Sequence, residues 1–73
     1  MELYEFHQRV AEIQRNRPFL RKGQIMFNLL SEERPELAKL IVATDLDPFY
    51  ISQPEAPERW AAFLEFLDKN WTV

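Results

Sequence analysis

Five cations crowd the first third of the chain: Arg9, Arg15, Arg17, Arg21 and Lys22. The last two stand beside Gly23, the single glycine, at the entrance to an apolar segment. A helix N-terminus already carries partial positive charge, so Arg21 and Lys22 call for a compensating negative group. Two sources of that charge are open. An external anion, such as a phosphate or a partner's carboxylate, could be held by Arg15, Arg17, Arg21 and Lys22 with exposed backbone N–H groups. Alternatively, Asp45 or Asp47 folds back from a later loop to pair with Arg21. The internal pair is the expected one, because that loop needs an anchor.

A second set of polar residues interrupts apolar surroundings: Gln24, Asn28 and Ser31, then Thr44, Asp45 and Asp47. The first three align on one helix face by their i, i+4, i+7 spacing. Gln24 and Asn28 are expected to hydrogen-bond backbone groups of the 44–50 loop, which has no regular partner of its own. Asp45-x-Asp47 resembles half of a cation site, but hard cations take several oxygens and no third carboxylate adjoins. No metal and no cofactor are expected. Catalysis is poorly supplied: the chain has no cysteine, a lone histidine (His7) and two serines distant from it in sequence. A nucleophile–base pair is not signalled, and the chain is not read as an enzyme. Ten aromatic rings in 73 residues exceed what so small a core can fully enclose. Phe49, Tyr50 and Trp60 are the expected exposed rim, of the kind enriched at binding hot spots.

The elements that must position these groups are helical. Leu3, Phe6, Val10 and Ile13 form one stripe over residues 2–16, and Pro18 ends that helix near Asn16. Arg17–Lys22 is a connector whose Phe19 and Leu20 are expected to tuck into the core. Residues 23–33 follow, with Ile25, Met26, Leu29 and Leu30 on one face and Phe27 off it, a pattern that places this helix centrally. Pro35 suits a first helical position, and the helix to about Ala43 turns Leu37, Leu40 and Ile41 inward. Residues 44–57 hold three prolines and no long periodicity. A single turn after Asp47-Pro48 is expected there, capped by Asp47. Ser52 and Glu55 have capping-box spacing, but Pro57 argues against a helix continuous from Ser52. The last helix, about Pro57–Asn70, carries the stripe Trp60, Phe63, Leu64, Leu67 and Trp71. The fold class is therefore all-α: a small single-domain bundle over residues 1–73, of three to four helices with an ordered proline-rich loop before the last.

Composition narrows the function classes. Without cysteine there is neither a disulfide nor a thiolate metal site, so stability rests on packing of a sequence that is 47% hydrophobic. No apolar run approaches the roughly 20 residues of a membrane span, and the start lacks a signal-peptide pattern. A cytoplasmic protein is expected. The formal charge of −3 is uneven: residues 1–30 have five cations against three carboxylates, and residues 31–73 four against nine. That polarity is mild beside a dedicated nucleic-acid binder.

The pattern Arg21-x-Gly23-Gln24, Asn28-x-Leu30, Pro35-x-Leu37, Thr44-Asp45-x-Asp47-Pro48-Phe49-Tyr50 resembles a group of small bacterial and phage or prophage proteins that have no assigned activity. The likeness covers about residues 17–67. It implies a small helical protein, phage-encoded in some cases. The expectation is a non-catalytic module that contacts another protein, with a homodimer as one form. The alternative is binding of nucleic acid or a phosphate ligand through Arg15–Lys22.

Overall fold

The computed structural model describes residues 1–50 and 57–71, the Tyr50 side chain excepted. Its elements are α1 (Leu3–Asn16), α2 (Lys22–Glu33), α3 (Pro35–Ile41), a single 3-10 turn (Pro48–Tyr50) and α4 (Pro57–Asn70). The all-α bundle is thus the architecture. The expected boundaries hold to within a residue or two. The Ser52–Glu55 spacing lies outside the described residues.

Each helix begins and ends for a local reason. At the start of α1, the Glu2 N–H donates to Glu5 Oε1 at 2.9 Å, satisfying a backbone donor that the helix cannot. At the start of α2, the Arg21 N–H donates in the same way to Gln24 Oε1 at 3.1 Å. Between α2 and α3 only Arg34 intervenes. Its N–H closes α2 on the Leu30 carbonyl at 2.7 Å, and its own carbonyl accepts from Leu37 and Ala38 at 3.0 and 3.1 Å. Pro35, the first residue of α3, has no N–H to lose there.

Helix α2 packs on α1, on α3 and on the 3-10 turn, so it is the central helix that its two-sided apolar pattern implies. Phe6 and Val10 of α1, Ile25, Met26, Leu29 and Leu30 of α2, Leu37, Ala38 and Ile41 of α3, and Trp60, Phe63, Leu67 and Trp71 form one buried core. Burial of each large side chain stabilises the fold by about 1.5–3 kcal/mol before chain entropy is counted. Gly23 is buried and has negative φ. Its missing side chain serves close packing rather than a left-handed turn.

Three packing expectations are corrected. Leu40 is 64% exposed. At 100° per residue, Leu37, Ala38 and Ile41 set the inward direction of α3, and Leu40 falls roughly 100° from its centre. Phe19 is 79% exposed. A turn closed by the Leu20 N–H on the Arg17 carbonyl (3.1 Å) brings Leu20 into partial burial and leaves Phe19 outside. Trp60 is buried, at 6% exposure, and so is no rim residue. It shares its direction with Phe63, Leu67 and Trp71, the stripe that α4 turns to the core.

Candidate functional site

The Thr44–Phe49 loop is built around one carboxylate. Asp47 is only 1% exposed. Its Oδ2 accepts the Ala43 N–H at 2.8 Å and its Oδ1 accepts the Phe49 N–H at 3.0 Å. The second bond makes Asp47 the cap of the 3-10 turn, as its place before Pro48 implies. Thr44 holds the other side: its hydroxyl donates to the Ile41 carbonyl at 2.6 Å and accepts the Leu46 N–H at 3.2 Å. Ala43 adopts φ 58. This left-handed conformation costs a non-glycine residue about 1–2 kcal/mol, and the Asp47 carboxylate on its N–H helps hold it.

That arrangement overturns the expected Arg21–aspartate pair. Both Asp47 oxygens are engaged by neighbouring backbone, and Asp45 lies 3.5 Å from Arg59 across a highly exposed contact. The loop anchors itself locally instead of reaching back to α2. Gln24 is occupied at the α2 start, Asn28 is exposed, and the Ser31 hydroxyl donates to the Phe27 carbonyl at 3.0 Å. Among the described residues, none of these three bonds the 44–50 loop. Of the five residues expected to form one polar network, Thr44 and Asp47 hold the loop, while Gln24 and Asn28 do not reach it and Asp45 within it turns to Arg59.

The cationic entrance divides in two. Lys22 Nζ sits 5.9 Å from the Trp60 ring centroid, a cation–π contact worth about 0.5–1 kcal/mol at an exposed site. Arg15, Arg17 and Arg21 are exposed. Among the described residues, no ion pair involves any of these four cations. His7 meets Phe6 edge to face at 5.6 Å. Its pKa is lowered from the ordinary 6.5, chiefly by partial burial and then by the Lys22 charge, with Asp68 opposing. Among the described residues, no three His, Cys, Asp or Glu side chains gather as a cation site would need.

Two grooves flank α2. One, of about 430 Å³, lies against α1 and is lined by Arg9, Glu12, Arg17, Asn28 and Glu32 above an apolar floor of Ile13, Leu20, Ile25 and Leu29. The other, of about 260 Å³, lies against α3 between Phe27, Ser31, Pro35, Ala38, Lys39 and Val42. The Ser31 hydroxyl is turned to its own helix, so this second groove presents an almost wholly apolar surface. Val42 at its edge is 51% exposed. Of the expected rim, Phe49 is half-buried with its ring edge-on to Phe27 at 6.5 Å, and the Tyr50 side chain lies outside the described residues.

One cluster had no local signal in the sequence. The Arg34 guanidinium lies over the Trp71 ring at 4.9 Å, donates to the Trp71 carbonyl and pairs with Glu36 at 3.6 Å. The Trp71 ring also packs on Phe6 at 5.1 Å, and its Nε1–H donates to the Met1 carbonyl at 3.0 Å. These partners are 37 and 70 residues apart, beyond the reach of any periodicity argument. No helix of the described residues is long and apolar enough to cross a membrane.

Comparison of the chain with known protein families, with curated proteins and with solved structures finds no match.

Proposed function

We propose that the chain is a non-catalytic module that binds another protein, and that it does so through the α2/α3 face. The observation that carries this reading is the apolar groove of Phe27, Pro35, Ala38 and Val42, in which Val42 is 51% exposed. Apolar surface left in water along such a groove gains free energy when a partner covers it. An accessory protein of a phage or prophage is one instance of such a module.

The test is affinity capture with the wild-type chain, a Val42→Asp variant and an Arg21→Glu/Lys22→Glu double variant, with sedimentation of each. The Val42 side chain is exposed, so circular dichroism of the first variant should match wild type. The expected result is a captured protein, or a dimer of the chain itself, that the first variant loses and the second keeps. Loss only in the charge-reversed variant would refute the assignment to the α2/α3 face.

A second reading draws on Arg15, Arg17, Arg21 and Lys22, cations without a described carboxylate. They would contact nucleic acid or a phosphate compound. Binding of a generic oligonucleotide that weakens steeply with salt would support it, and no binding at low salt would exclude it.

A further inference from the structure

The α1/α2 groove has a chemistry unlike that of the α2/α3 face. Its 430 Å³ lies in the range of sites that hold ligands. Two of its floor residues, Ile25 and Leu29, are buried, and the other two, Ile13 and Leu20, are half-buried. The rim is electrically balanced, with Arg9 and Arg17 against Glu12 and Glu32. That balance disfavours a polyphosphate, which the two carboxylates would repel.

The four charges are not equally engaged. Arg9 and Glu12 already pair at 3.3 Å. Arg17 and Glu32 form no ion pair among the described residues, and the Asn16 and Asn28 side-chain amides bond none of them. An amide can both donate to and accept from a peptide backbone. Arg17 follows the end of α1 in the connector, whereas Glu32 lies in the last turn of α2. From Ile25, the first α2 residue of the groove, to Glu32 the helix rises about 10 Å at 1.5 Å per residue. Three residue steps of extended chain cover the same length at about 3.4 Å each.

We propose that this groove takes a short extended segment of a partner protein, with an acidic residue at Arg17, a basic residue at Glu32 and two apolar residues over the floor between them. The proposal shares the protein-binding reading but uses a different face, so the two stand or fall on different variants.

Capped Asp-Leu-Leu-Lys is the probe, titrated into isotope-labelled protein and followed by amide NMR. Asn-Leu-Leu-Lys and Asp-Leu-Leu-Gln serve as partners that lack one charge. Saturable shifts are expected at Ile13, Leu20, Ile25, Asn28 and Leu29. Removing the peptide's acid should weaken binding roughly two- to fivefold, the range for an exposed ion pair, and this penalty should vanish in Arg17→Gln. Removing its base should have a similar effect that vanishes in Glu32→Gln, which should keep the preference for the acid. Both substituted residues are exposed, and dispersed spectra of the variants would confirm folding. Absence of saturable shifts would overturn the proposal, as would penalties that persist unchanged in the variants. The same shifts produced by inorganic phosphate alone would also overturn it, in favour of a simple anion site.

Discussion

Replacing Asp47 by alanine should lower the folding stability by about 2–4 kcal/mol. The figure follows from two hydrogen bonds in which a carboxylate accepts backbone N–H groups, at 2.8 and 3.0 Å. Bonds to a charged group contribute about 1.5–3 kcal/mol each. The sum is reduced because Ala43 is exposed and its freed N–H regains water, and because the variant no longer buries a charge. A chain of this length has about 4–11 kcal/mol in total at 0.05–0.15 kcal/mol per residue, so the loss is a large share. Asp47→Asn retains one acceptor oxygen and should lose about half as much. Urea unfolding read by Trp60 and Trp71 fluorescence, with far-UV circular dichroism alongside, measures both. The midpoint should fall at unchanged slope. Asp45→Ala is the control, since its contact with Arg59 is solvent-exposed and should matter little. The reasoning fails if Asp47→Ala lies within about 0.5 kcal/mol of wild type, or is no worse than Asp45→Ala.

Two further outcomes follow from the packing. Trp71→Ala should cost about 3–5 kcal/mol, as loss of a large buried aromatic does, whereas Trp71→Phe should cost about 1 kcal/mol for the missing N–H to the Met1 carbonyl; dichroism-monitored urea curves would show both, equal losses would contradict the packing role of the ring, and no loss in Trp71→Phe would contradict the hydrogen bond. The His7 imidazole should titrate below 6.5 by NMR, with Lys22→Gln raising the midpoint and Asp68→Asn lowering it. Between that lowered value and 6.5 the unfolded chain binds more protons, so stability should decline as pH falls through this window. In His7→Gln that part of the pH dependence should be absent.

The helices were legible from proline positions and apolar stripes, because both act within a few residues. Asp47 was legible as a cap for the same reason. Its bond to the Ala43 N–H was not, since it requires Ala43 in a left-handed conformation that an alanine does not advertise. The Arg21–aspartate pair failed where a long-range charge argument competed with backbone donors only a few residues away. Leu40 failed because a helix of seven residues offers too few apolar positions to fix its inward direction by periodicity. The Arg34–Trp71 stacking joins distant residues and depends on how α4 returns, which no local pattern encodes. Of the candidate surfaces, the basic segment was visible as composition. The two grooves required knowing which faces α2 leaves uncovered.

The bond from the Trp71 indole to the Met1 carbonyl also bears on connectivity. That single bond ties the residue that follows α4 to the backbone just before α1, although the two are 70 residues apart. A linker engineered from residue 71 to residue 1 would span a short distance, with new termini opened in the exposed connector at Phe19, where little is buried. Such a circularly permuted chain would make α2 its first helix and α1 its last. Every core contact would stay available while the sequence distance across each was redrawn, separating what the packing itself contributes from what chain order contributes to the speed of folding.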